Sequence, residues 1–245
     1  MKVFASGSCR LLTSINDGRG KIKPIHSMFH NFVGINFFGK LHNVKQHIQF
    51  IRWIKDEIEI PQDILSSFLT SYGSNVNGHS RDDMSIRDDM IMEPLELNPI
   101  KKKNIKDSID YCDFYIFELF SLKLYEKNGY QVQYELTDDY TCVLQSETDL
   151  YNDLEILNGI LKGKKILFQI HFRPNVIYND ASKIVVNREI IYNVVNNFCN
   201  THENAYLYDP SFLLNTYEFL YDGDTHFNDI GYEKSFDYIY NKFLQ

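Results

Sequence analysis

Four short apolar runs punctuate the chain, and amphipathic stretches separate them. Lys2–Ala5, Phe114–Leu119, Lys165–Ile170 and Ala205–Tyr208 are rich in Ile, Val, Phe or Tyr and are bounded by polar residues. Runs of this length and composition predict strands covered on both faces. Between the first two, Val44, Ile48, Ile51, Ile54 and Ile58 recur at helical spacing and predict a helix over Asn43–Glu59. Further on, Ser146-Glu147-Thr148-Asp149 has the form of a capping box. Leu150, Leu154, Leu157 and Leu161 follow at helical intervals, and Gly163 stops the helix. Asn187–Asn200 and Asp229–Phe243 predict two more helices. Strands alternating with helices imply a central parallel sheet with right-handed crossovers, an α/β three-layer sandwich.

Two stretches break this rhythm. Ser71–Lys106 is polar and irregular, with Arg-Asp-Asp-Met repeated at Arg81 and Arg87 and a run at Lys101-Lys102-Lys103. It predicts a solvated insertion, although a lysine run also suits an anionic cofactor's phosphates. Tyr130–Leu144 alternates instead: Tyr130, Val132, Tyr134 and Leu136, then Tyr140, Cys142 and Leu144. With Thr137-Asp138-Asp139 between the two halves, a β-hairpin decorating the sheet is expected. The 245 residues suit one domain carrying these additions, with a core that needs no staples.

Composition narrows the partners. A formal charge of −8 argues against nucleic-acid binding, which calls for a basic face. No window of eighteen or more apolar residues exists, so no membrane span is expected. The start, Met-Lys-Val-Phe, lacks an apolar leader, so a cytoplasmic location is expected. Cys9, Cys112, Cys142 and Cys199 are scattered without metal-type or oxidoreductase spacing, which suits a reducing compartment with three of them packed as small hydrophobes. His26 and His30 lack a carboxylate or cysteine between them, and His42 and His47 are read the same way, so no metal is expected.

In open α/β sheets, ligands bind at the carboxyl ends of the strands. That rule selects Ser8-Cys9-Arg10, Glu118 to Ser121, His171-Phe172-Arg173 and Asp209. Near the C-terminus, "DGDTHFNDIGY" (residues 222 to 232) puts Asp224 two residues before His226, just ahead of the last helix. A carboxylate that orients an imidazole, and an imidazole that takes a proton, make two thirds of a triad. The turn after the first strand offers the nucleophile, as Ser8 or Cys9.

"SGSCRL" and "DGDTHFNDIGY" together resemble the first and last blocks of the SGNH (GDSL-type) hydrolase superfamily. Those proteins place a Gly-x-Ser nucleophile after strand one and an Asp/His pair before the final helix of a flavodoxin-like sandwich. The resemblance assigns Gly7 to the glycine, Ser8 to the variable position and Cys9 to the nucleophile. Gly-x-Cys is similar to the WcbI-type capsule-biosynthesis proteins, a coenzyme A-binding branch, and to the sugar N-acetyltransferases of large DNA viruses. The family's Asp-x-x-His spacing would fall on Gly223, flanked by Asp222 and Asp224. Asp-x-His resembles the alginate-type O-acetyltransferases, which favours Asp224, with Asp222 as the alternative acid. The Gly-x-Asn-Asp block is absent; "FELFS" stands there. Oxyanion donors are therefore sought in backbone N–H groups around Cys9 and in Asn36 or Ser121, with Val33–Asn43 the stretch for a second donor. Ser8 and Arg10 are also expected among the oxyanion and substrate-binding residues, with capping of the following helix as the structural role of Ser8. Arg173 suits either a substrate phosphate or carboxylate, or a structural salt bridge.

A cysteine nucleophile changes the expected reaction. Its thiolate would be favoured by the helix that follows and by His226. Thioester exchange with an acyl-CoA is nearly isoenergetic, and amines attack thioesters readily. The reading is therefore double displacement: acetyl-CoA gives its acetyl group to Cys9, which passes it to an amino or hydroxyl group of a sugar. A nucleotide-linked amino sugar in glycan biosynthesis is what the resemblance implies. The alternative is an SGNH-type esterase or deacetylase cleaving a carbohydrate or other small ester. A non-enzymatic member that binds a glycan or a partner stands as a third reading.

Overall fold

The computed structural model describes residues 3–8, 10–11, 32–33, 41–65, 103, 106–107, 109–132, 139–214, 217–220 and 226–244. Its strands are β1 (Val3–Ser6), β2 (Phe32–Val33), β3 (Phe114–Leu119), β4 (Lys123–Lys127), β5 (Tyr130–Gln131), β6 (Thr141–Leu144), β7 (Lys165–Ile170) and β8 (Ala205–Tyr208). The α-helices are α1 (Val44–Ile54), α2 (Glu147–Ile160), α3 (Pro174–Tyr178), α4 (Val186–Thr201) and α5 (Asp229–Ile239). The four apolar runs become β1, β3, β7 and β8, with β1 shifted one residue toward Ser6.

These strands and β2 form one parallel sheet in the order β2-β1-β3-β7-β8. Successive side chains point to opposite faces, and the two faces carry separate cores. Phe4, Tyr115, Phe117, Ile166, Phe168 and Ile170 pack with Val44, Ile48 and Ile51 of α1, Leu154 of α2 and Phe198 of α4. Val3, Ala5, Phe114, Ile116 and Leu167 pack with Phe236 and Ile239 of α5. Helices therefore cover both faces, and the fold is a three-layer α/β sandwich. Each fully buried Phe or Leu contributes about 1.5–3 kcal/mol.

Helix ends follow local chemistry. Asn43 caps α1 by accepting from the Gln46 N–H at 2.9 Å, and Gln46 Oε1 reaches back to the His42 N–H at 2.7 Å. The helix stops before the expected Glu59 because Asp56 adopts φ 57°, with Asp56 N–H bonded to Trp53 O and Glu57 N–H to Arg52 O. This is a Schellman ending. Ser146 caps α2 as its sequence implies, accepting from Asp149 N–H at 3.1 Å.

The antiparallel structure expected at Tyr130–Leu144 is present with different partners. Tyr130–Gln131 and Thr141–Leu144 both pair with β4, giving a separate sheet in the order β5-β4-β6. The tight turn is Asn128-Gly129, with φ 53° and 80°, left-handed values that Asn and Gly tolerate. The Gln49 side-chain amide completes β5 by bonding both the N–H and C=O of Gln131. Cys112 is buried, but Cys142 on β6 is exposed rather than packed. Of the Ser71–Lys106 insertion, only Lys103 and Lys106 belong to the described residues. Among the described residues no helix is long and apolar enough to cross a membrane.

Candidate functional site

The strand order reverses direction between β1 and β3: β2 lies on one side of β1, and the later strands extend from the other. Carboxyl ends diverge at such a switch point and leave a crevice where ligands bind. Ser8, Arg10 and Leu11, which follow β1, and Glu118 to Ser121, which close β3, meet at this point.

Glu118 is fully buried and organises the turn. Its Oε2 accepts the backbone N–H groups of Ser8 at 2.7 Å and Leu11 at 3.3 Å. Its Oε1 accepts Arg10 Nε–H at 2.9 Å. Ser8 Oγ lies 2.7 and 2.8 Å from the two oxygens and shares its single proton between them. A buried carboxylate is tolerable only with this degree of pairing. Residues 10–11 are helical, so Glu118, rather than Ser8, satisfies amides at the start of that helix. The capping contact expected of Ser8 is made by Glu118 instead: the Leu11 amide goes to its Oε2, to which the Ser8 hydroxyl also donates. At 1% exposure and with that hydroxyl engaged, Ser8 is also poorly placed as a nucleophile.

Gly7 is required here by close approach. A Cβ at this position would lie 2.6 Å from Glu118 Cβ and 3.1 Å from Oε2. Behind the knot, His47 of α1 ties β1 to β3. Its Nε2–H donates to Glu118 O at 3.0 Å, so Nδ1 accepts from Ser6 Oγ at 3.1 Å. Burial pushes the His47 pKa down to about 4.

Aromatic rings border the outer side. The Arg10 guanidinium lies over Phe120, 4.5 Å from the ring centroid. Phe120 also meets His42 at 5.1 Å and His171 at 4.9 Å between centroids. His171 is 2% exposed. Its Nδ1 lies 3.1 Å from Phe172 O, and a carbonyl only accepts, so Nδ1 carries the proton and Nε2 presents a lone pair. Arg188 Nη1 donates to the same carbonyl at 3.1 Å. Burial holds the His171 pKa well below the usual imidazole range. The charges of Arg10 and Arg188 add to this, the bond to Phe172 O opposes it, and His226 lowers it further.

His226 is half-buried and lies near enough to His171 to lower its pKa. Leu220 and Phe227 form an antiparallel bridge, and Phe227 is wholly buried beside Phe172 and Tyr232. Asn228 then caps α5 by accepting from Gly231 N–H at 3.0 Å, and its own N–H bonds Phe219 O at 2.8 Å. Gly231 admits this packing, because a Cβ there would come within 2.5 Å of Phe219 O. Part of the polarity of "THFND" is therefore structural: Asn228 is a helix cap.

The other expected site residues fall into two groups. Cys9, Asn36, Asp222 and Asp224 lie outside the described residues. Ser121 and Arg173 are described, and both are engaged within the protein. The Ser121 hydroxyl accepts Lys123 N–H at 2.9 Å, and its own N–H goes to His42 O. Accepting there leaves the Ser121 hydroxyl proton to donate. Arg173 forms the structural ion pair of its two expected roles. Its Nε and Nη2 bond Asp209 Oδ2 at 2.9 and 2.8 Å, Nη1 bonds Glu189 at 3.0 Å, and the guanidinium stacks on Tyr192 at 3.7 Å. Asp209 in addition caps the following turn through Ser211 N–H. Among the described residues, no group of three His, Cys, Asp or Glu side chains could hold a metal.

Three residues acquire roles that sequence reading did not assign: Glu118, His47 and His171. An acid inside the apolar run Phe-Tyr-Ile-Phe-Glu-Leu was the available signal, since a buried carboxylate demands partners. His47 carried no such mark, because its helical position matches that of any residue on a buried face.

No family model matches the chain, and no curated protein matches it. A solved structure aligns with 97% of this chain and 93% of its own, at 12% identity and a TM-score of 0.41, a likeness too slight to carry an argument.

Proposed function

We propose that this chain is an acyltransferase of the SGNH-like kind that moves an acetyl group from acetyl-CoA to an amino or hydroxyl group of a sugar. One observation carries the reading. Ser8 and Arg10, the residues on either side of Cys9, are both bound to the buried carboxylate of Glu118, while Arg10 and His226 both act on His171. This nearness of Ser8 and Arg10 to His226 supports the reading that the two stretches resembling the superfamily serve one site.

In this mechanism the Cys9 thiolate attacks the thioester carbonyl, a C–S bond forms, and the CoA thiolate departs with the proton held by His226. The acceptor amine or hydroxyl then attacks acetyl-Cys9, His226 takes its proton, and the Cys9 thiolate is released. Asp224 orients the imidazole, with Asp222 as the alternative. A nucleotide-linked amino sugar is the acceptor that the family resemblance suggests.

Intact-protein mass spectrometry after incubation with acetyl-CoA tests the reading. An acetyl adduct on Cys9, absent in Cys9→Ala and discharged by an amino sugar, is expected. Hydrolysis of an aryl acetate without any adduct, surviving Cys9→Ala, points instead to the esterase reading and sinks the Cys9 assignment.

A further inference from the structure

Two buried acceptors at the carboxyl end of β7 have no protein partner among the described residues. Among the described residues nothing bonds His171 Nε2 or Gln169 Oε1, although both side chains are at most 2% exposed. The residues are two apart, so an extended chain directs them to the same side. Gln169 also sits in register with Glu118, the residue that holds the turn after β1. A bare acceptor away from water is costly, and in a native structure it asks for an explanation. The His171 tautomer is fixed by Nδ1–H bonding to Phe172 O, so Nε2 offers a lone pair and no proton.

We propose that His171 Nε2, seconded by Gln169 Oε1, receives the N–H or O–H donors of the ligand bound at the β1/β3 switch point. The site selects donors rather than anions, because the nearby Arg10 is already paired with Glu118. The acyl-transfer reading enters only in naming the two donor-bearing ligands: the amides of the CoA arm, or the amino and hydroxyl groups of the sugar. His171 acts here as a positioning residue for that ligand, and its neutrality keeps the acceptor open.

The test is imidazole nitrogen NMR on the full-length, histidine-labelled protein, with His171→Phe to assign the resonance. CoA is titrated in one arm and UDP-glucosamine in the other. Movement of the His171 Nε2 resonance toward a hydrogen-bonded position in one arm is expected, and it identifies the source of the donor. The His171→Phe variant should bind the responding probe about tenfold more weakly, the loss of one hydrogen bond. Its unfolding midpoint should not fall, because Arg188 still satisfies Phe172 O and the orphan acceptor is gone. An unmoved resonance in both arms, unchanged affinity of the variant, or a lowered midpoint would each overturn the proposal. The outcome is separable from acyl transfer: a moved resonance without a Cys9 adduct leaves the acceptor standing, and an adduct without movement removes it.

Discussion

Gly7 and Glu118 are in contact so close that no side chain fits between them: a Cβ on residue 7 would lie 2.6 Å from Glu118 Cβ. The glycine of the first motif and the acid near the end of β3 therefore form one unit. Gly7→Ala must push Glu118 away from Ser8, Arg10 and Leu11. A loss of about 1–3 kcal/mol, the usual cost of forcing extra atoms into a packed site, is expected in urea unfolding. Labelling of Cys9 by a thiol reagent should change with it. A fully stable Gly7→Ala protein would refute the tight packing.

The pairing of Arg10 with Glu118 is testable by a double-mutant cycle. Glu118→Gln strips the counter-charge from a guanidinium whose side chain is 7% exposed, and about 3–5 kcal/mol of stability should go. Arg10→Met does the reverse, leaving the carboxylate unpaired. The double variant should lose less than the sum of the two, because it leaves neither charge stranded. Additive losses would show that the two groups do not depend on each other.

His47 makes stability depend on pH. Its folded pKa, about 4, lies below the unfolded value of 6.5. Between these values the unfolded imidazole holds a proton that the folded one lacks, so stability rises with pH across that window. The contribution is complete above about pH 6.5 and is lost by about pH 4, a difference of about 3 kcal/mol. His171, shifted in the same direction, adds to the slope. In urea titrations from pH 7 to pH 4, His47→Gln should flatten the dependence. An identical slope in the variant would assign it elsewhere.

Arg173 is expected to matter for folding rather than for anion recognition. Arg173→Met leaves Asp209 buried without its cation, and a loss of about 3–5 kcal/mol should follow in thermal or urea unfolding. Arg173→Lys should recover only part, since an ammonium neither forks onto two carboxylates nor stacks on Tyr192 as a guanidinium does. CoA affinity, measured by calorimetry on the folded variant, should be unchanged; a large loss would restore Arg173 to the substrate.

The layered α/β design was legible in the chain because burial on both faces leaves a local trace. Phe114–Leu119, Lys165–Ile170 and Ala205–Tyr208 emerge with the bounds their apolar runs imply. Capping at Ser146 was readable for the same reason, since a cap bonds within its own turn. The small antiparallel sheet was less legible. Its tight turn, Asn128-Gly129, falls just ahead of the alternating stretch, and the register of Thr141–Leu144 on β4 depends on pairings fifteen or more residues apart.

The sequence by itself determined the strand-helix alternation, the two polar motifs and the rule that sends them to the carboxyl edge. Tertiary structure decided what each polar residue there does. Ser8 became a donor to Glu118, Ser121 a turn acceptor, Arg173 an ion-pair partner and Asn228 a cap, while His171 kept an open lone pair. The reason is physical: periodicity encodes which face is buried, but a buried hydrogen bond is made with whichever partner the fold brings near. Glu118 meets Ser8 across 110 residues of chain, a distance at which no local pattern speaks.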